Sequence, residues 1–243
     1  MAALGGLGIG FRDFAFAWQL VPKGIPEHDA LAIVCGAILV AGGLALLVPR
    51  TARLSALALA AVLLLFVLAV RVPHAVAQPL VEGNWYGLSE TLTFVAGSWT
   101  MFSMVPARHG QALARLGSVR AGQILFALAL PALGLAHFFY MDQTAPLIPS
   151  WLPFHVPLAY FTGAAHIAAG LAILFGVLPR LAATLEAIMV SLFTLLVWVP
   201  VVIAAPGNAY DWTELLVSMA IAGAAWAVAE SFHTPASTFA PRR

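Results

Sequence analysis

Seven apolar runs, each near the length a helix needs to cross hydrocarbon, leave this chain few folds to choose from. A crossing takes about 20 apolar residues. The runs are Ala30–Val48, Leu54–Val72, Leu88–Val105, Gln123–Tyr140, Val156–Leu178, Leu181–Ile203 and Trp212–Ala229. An eighth, from Met1 to Trp18, is interrupted by Arg12 and Asp13. Inside lipid every backbone N–H and C=O needs a partner within the protein, which leaves helices or a closed barrel. Barrel strands alternate apolar and polar residues, and these runs do not. Composition agrees: 62% of residues are hydrophobic and 9% charged, against about 25% charged in a soluble domain. The expectation is an all-α, polytopic transmembrane bundle of about eight spans, the first short or truncated, with the bilayer as its partner.

Charge then sets sidedness. With eight spans, Arg50, Arg53, Arg108, Arg115, Arg120, Arg180, Arg242 and Arg243 fall on one side. Arg12, Lys23 and Arg71 fall on the other, with the acids Glu27, Asp29, Glu82, Asp142 and Asp211. The positive-inside rule makes the arginine-rich side cytoplasmic, and both termini with it, in a bacterial-type inner membrane. Trp18, Trp85, Tyr86, Trp151, Trp198, Tyr210 and Trp212 gather near the outer interface, the depth amphipathic rings favour. A net charge of +1 with no basic patch argues against nucleic acid. The single cysteine, Cys35, excludes an intrachain disulfide and a CxxC redox pair. The N-terminus lacks a basic region and a cleavage motif, so a signal peptide is not expected.

The chain also repeats itself. Gly36-Ala-Ile-Leu-Val-Ala-Gly-Gly43-Leu-Ala-Leu-Leu aligns with Gly163-Ala-Ala-His-Ile-Ala-Ala-Gly170-Leu-Ala-Ile-Leu. The same offset pairs Pro22 with Pro149, Pro26 with Pro153, Arg53 with Arg180 and Pro73 with Pro200. Beyond a slightly longer loop in the first copy, Asn84-Trp-Tyr86-Gly-Leu-Ser89-Glu90 pairs with Asn208-Ala-Tyr210-Asp-Trp-Thr213-Glu214. Two parallel four-helix units follow, residues 1–110 and 111–243, related by a pseudo-twofold along the membrane normal. The counterpart of Gln123–Tyr140 would begin before Met1, so the first helix is expected to be truncated or the true start to lie upstream.

The second unit carries Gly134-Leu-Ala-His137-Phe138-Phe139, Pro149-Ser-Trp151-Leu-Pro153 and Thr162-Gly163-Ala-Ala-His166-Ile-Ala-Ala-Gly170, followed by Arg180 and Pro200. In these it resembles the DoxX-like membrane proteins, over Gln123–Ala229. The first unit looks like a degenerate copy, with Gly10, Leu39 and Leu59 where His137, His166 and Glu186 fall. The resemblance implies a four-helix membrane unit. It also implies an accessory or assembly role beside redox enzymes, the family being named from a small subunit of a membrane thiosulfate–quinone oxidoreductase.

Few polar residues lie within the runs. His166 shares a helix face with Gly163, Ala169 and Gly170, so it faces the bundle interior. It serves either as a proton-active or ligand-binding group or as an interhelical hydrogen bond that fixes packing. His137, near the outer end of its helix, is a second wall of the same pocket or an interfacial histidine. Glu186 lies within hydrocarbon and must be protonated, paired or beside water; it is a functional acid or a partner of the cytoplasmic arginines. Glu90 and Glu214 read as capping carboxylates, Asp211-Trp-Thr-Glu214 resembling a capping box, or as ligand contacts. Gly5-Gly-Leu-Gly8-Ile-Gly10 lies in a membrane segment and follows no strand, so it is no dinucleotide loop. No spacing supports a metal, and quinone or haem contact by His137 and His166 has no motif behind it.

These residues favour an accessory or assembly subunit of a quinone-linked membrane redox system, partnered by an enzyme subunit. The candidate pocket comprises His137, His166, Glu186, Tyr210 and Glu214, with Tyr86 and Glu90 as repeat counterparts and no catalytic residue. A small-molecule carrier would share the repeat and the midplane polar groups. A structural scaffold or chaperone would tolerate substitution at each of them. Stand-alone catalysis is not expected, since no nucleophile–base pair or cofactor motif is present.

Overall fold

The computed structural model describes residues 1–14, 19, 21–106 and 117–233. Trp18, Arg108, Arg115, Pro235, Pro241, Arg242 and Arg243 lie outside these residues, as does the expected boundary between units near residue 110. Among the described residues the fold is helical, with no strand. The principal helices are α1 (Ala2–Phe11), α2 (His28–Ala45), α3 (Ala52–Ala77), α4 (Glu82–Met104), α5 (Val119–Phe139), α6 (His155–Phe175), α7 (Pro179–Ala204) and α8 (Ala209–Ser231).

Six of them, α2, α3 and α5 to α8, are long and apolar enough to cross a bilayer. The chain is therefore a multi-pass helical membrane protein. The other two depart from the expected eight spans for separate reasons. Helix α1 has 10 residues, about 15 Å of rise, against a hydrocarbon core of about 30 Å. Helix α4 has 23 residues, which is long enough, but Ser89, Glu90, Thr91, Thr93, Ser98, Thr100 and Ser103 are buried along it. A helix wrapped by other helices is released from the need to be apolar.

Helices α4 and α8 pack on each other at the centre. A Cβ on Gly97 of α4 would meet the Ala224 Cβ of α8 at 2.5 Å, so this contact depends on the missing side chain. Around that pair, α3 lies on α4 and α7 on α8. Likewise α5 packs on α4, and α1 touches α8.

Both α3 and α7 pass through a single π-helical segment, Val67–Arg71 and Thr194–Trp198. The cause is local. Pro73 and Pro200 stand two residues beyond these segments and lack the N–H that would close the preceding turn, so the ladder widens. The two stretches keep one offset (194 − 67 = 127). The start and end of the flanking helices follow the same offset, as do the left-handed residues Glu27 (φ 56°) and Phe154 (φ 61°) that precede α2 and α6.

The offset runs on through α4 and α8 without the gap that the sequence pairing used. The Trp85 indole N–H donates to the Pro79 carbonyl and that of Trp212 to the Pro206 carbonyl, each at 2.9 Å. Trp85 and Trp212 thus share the offset of 127, whereas Tyr86 and Tyr210, like Glu90 and Glu214, stand 124 residues apart.

Arginines bind one end of the bundle together. Arg53 Nη1 donates to the Val105 carbonyl at 2.6 Å, and its guanidinium lies 4.3 Å from the Phe102 ring centre. Arg120 donates to the carbonyls of Ile173 and Leu174 at 3.1 and 2.8 Å, where the end of α6 leaves carbonyls unpaired. Arg71 does not lie in an outer loop, as sidedness alone suggested. It is 2% exposed on the π segment of α3, against Gly87 of α4.

Candidate functional site

The site begins with two glycines. A Cβ on Gly163 of α6 would lie 2.8 Å from the Gly134 carbonyl and 2.8 Å from the His137 Cβ of α5. A Cβ on Gly134 would lie 2.5 Å from the Gly163 carbonyl. Only hydrogen fits at either position, so the two backbones touch. That approach sets His137 and His166, one turn beyond each glycine, with ring centres 5.2 Å apart. Phe193 of α7 packs on both imidazoles.

Across the α6–α7 contact, His166 Nδ1 and Glu186 Oε1 are 2.7 Å apart. Both residues are buried, at 4% and 1% exposure. Glu186 thus pairs with a histidine, and among the described residues no ion pair joins it to an arginine. The second carboxyl oxygen, Oε2, has no hydrogen-bond partner among the described residues. His137 Nδ1 lies 3.1 Å from the Leu133 carbonyl. A carbonyl only accepts, so Nδ1 is the donor.

A second polar group sits on α4 and α8. The Tyr86 hydroxyl donates to Glu90 Oε1 at 3.1 Å, and Tyr210 pairs with Glu214. Glu90 is 1% exposed and lies within electrostatic reach of both Glu214 and Arg71. Neither acid is a cap. Helix α4 starts at Glu82 and α8 at Ala209, so Glu90 lies more than two turns in and Glu214 more than one. The cap of α8 is Asn208, whose side chain accepts from the Tyr210 N–H at 3.0 Å. Tyr86 faces this cluster and not the outer aromatic belt expected of it.

Both groups line one cavity of about 1120 Å³. His137, His166 and Glu186 stand on its α5–α6–α7 side; Tyr86, Glu90, Tyr210 and Glu214 stand on its α4–α8 side. The remaining lining is largely apolar. Phe161, Leu185 and Leu192 line it and are 67%, 56% and 47% exposed. Lining side chains this exposed place the opening of the cavity along α6 and α7.

Sequence reasoning missed three contributors. Arg71 read as a loop charge. Phe193 was not singled out within the run Leu181–Ile203. Thr194 on the π segment bonds Ser218 of α8 at 2.7 Å; both were absorbed into their apolar runs. The proline after each π segment was the available signal for Arg71 and Thr194, since π segments recur at functional sites. No local signal pointed to Phe193. Among the described residues no group of three or more His, Cys, Asp or Glu is placed to hold a metal ion.

Fold and site together define a multi-pass helical membrane protein with a large cavity inside its membrane-spanning region, reached from the side. No family model, curated protein or solved structure matches this chain.

Proposed function

We propose that the chain is a tandem pair of DoxX-like four-helix units that binds a lipid-soluble small molecule in the cavity of the second unit. Its role is that of an accessory subunit to a quinone-linked redox enzyme in the inner membrane, with the arginine-rich end cytoplasmic. Helix α4 crosses the bilayer as a protein-wrapped span. The shared offset of elements, π segments and left-handed residues supports the duplication. So does the contact pattern, in which α5 on α4 repeats α1 on α8. Gly5 and Gly36 make the same mutual approach as Gly134 and Gly163. That approach puts Gly8, rather than Gly10, in the place of His137.

One observation carries the functional reading. The positions of His166 and Glu186 correspond to Leu39 and Leu59 in the first unit. Those leucines are 2% and 1% exposed and share one apolar cluster. The fold therefore accepts two leucines where the second unit holds a buried acid and base. Replacing a buried pair by apolar residues of similar volume is often neutral or stabilising, by about 1–4 kcal/mol. Packing gives no reason to keep the pair, whereas a cavity whose ligand needs a proton donor and acceptor does.

The test installs the first unit's solution in the second. The variant H166L/E186L is expected to unfold at or above the wild-type midpoint in mixed micelles. In lipid nanodiscs it is expected to lose at least about tenfold in affinity for a decyl-tailed benzoquinone. Equal quinone affinity in the two proteins would refute the assignment.

A further inference from the structure

The polar wall on α4 and α8 is chemically unlike the His–Glu wall facing it. Two carboxyl groups, Glu90 and Glu214, interact there electrostatically, and Arg71 is the guanidinium beside Glu90. The wall thus carries two carboxyl groups for one guanidinium. Among the described residues the cavity lining includes no Lys or Arg, and His166 already pairs with Glu186. Glu90 supplies the independent sign of a ligand. Its side chain is almost wholly buried, it lines the cavity, and its Oε2 has no hydrogen-bond partner among the described residues. A buried carboxyl oxygen left without a hydrogen-bond partner is unfavourable, and a donor brought by a ligand would relieve it.

Tyr86 and Tyr210 stand on the same wall, and other aromatic residues line the rest of the cavity. Tyr86, Tyr140, Tyr210 and Trp198 all line the cavity. Their π faces attract cations, and the attraction grows when water is excluded. An anionic head would meet no unshared cation here.

We propose that the cavity takes a lipid-soluble cation: an amine-headed amphiphile whose ammonium donates to Glu90 and Glu214 among the tyrosines, while its apolar body lies toward the opening along α6 and α7. This deepens the reading of the cavity as a ligand site and rests on it. Entry is from the bilayer, past Phe161, Leu185 and Leu192.

Decylammonium and decanol have the same tail and differ in head charge. Titrated calorimetrically into wild-type protein in neutral-lipid nanodiscs, decylammonium is expected to saturate at one site and to bind at least about tenfold more tightly than decanol. In E90Q/E214Q, which keeps side-chain shape, that preference is expected to vanish. The single variant E214Q should retain part of it, which guards against a misfolded double variant, and gel filtration of each variant checks the fold. If decanol matches decylammonium in the wild type, or if E90Q/E214Q keeps the preference, the cation assignment falls while the cavity stands. If neither probe nor the decyl-tailed benzoquinone binds saturably, the ligand-site reading itself falls.

Discussion

His166 and Glu186 are 2.7 Å apart in a region where each alone would be an expensive guest. Their coupling makes single and double substitutions differ in sign. Removing one partner strands the other in low dielectric, at a cost of about 3–5 kcal/mol. The substitution H166L is therefore expected to lower the unfolding midpoint sharply, and adding E186L to restore it. Reversible unfolding in mixed micelles measures both. A double-mutant cycle with no coupling would mean that the two side chains do not interact. Half of this was readable in the sequence. The spacing Gly163, His166, Gly170 put His166 on the seam facing other helices. Glu186 was recognisable as an acid in hydrocarbon. That each answers the other was not readable, because the residues belong to different helices and their meeting depends on how α6 and α7 cross.

At the scale of elements, the α5–α6 contact governs the site. Gly134 and Gly163 allow backbone-to-backbone contact, and the histidines inherit their spacing from it. A methyl group at Gly163 has no room without moving α5. The variant G163A is thus expected to lose about 1–3 kcal/mol by overpacking and to weaken ligand binding, although the substitution touches no polar group. Calorimetry on G163A beside wild type would show it; unchanged binding would mean that the histidine pair tolerates looser helices. The caps show where a local motif misled. Asp211-Trp-Thr-Glu214 has the spacing of a capping box, yet α8 is capped one turn earlier, at Asn208. Asn208 is itself a good cap, and it keeps the helix start clear of the Glu214 carboxyl. That carboxyl is then free to join Tyr210 and Glu90 on the cavity wall.

For the whole molecule, the two bundle ends make opposite predictions. Arg50 and Arg180 are exposed at one end, and Leu80 and Gly207 at the other. In a chain with Cys35 replaced by Ala, single cysteines at Arg50 and Arg180 are expected to react with an impermeant maleimide only after cells are opened. Cysteines at Leu80 and Gly207 should react in cells whose outer membrane alone has been permeabilised. Labelling of all four from one side would contradict the crossing of α3 and α7.

The apolar runs, by length and period, determined that this chain lives in hydrocarbon, that it is helical, and roughly where its long helices begin and end. Those properties depend on near neighbours and on the solvent, and both are written locally. The glycine seams and the prolines behind the π segments were local as well. Only the tertiary structure decided that Arg71 is buried, that Glu90 and Glu214 lie within the helix bodies, and that His137, His166 and Glu186 face them across one cavity. The reason is physical. In lipid, apolar side chains gain little by choosing one helix face over another. Which polar residues meet is therefore set by close backbone approach and shape between helices distant in sequence, which no single stretch of residues encodes.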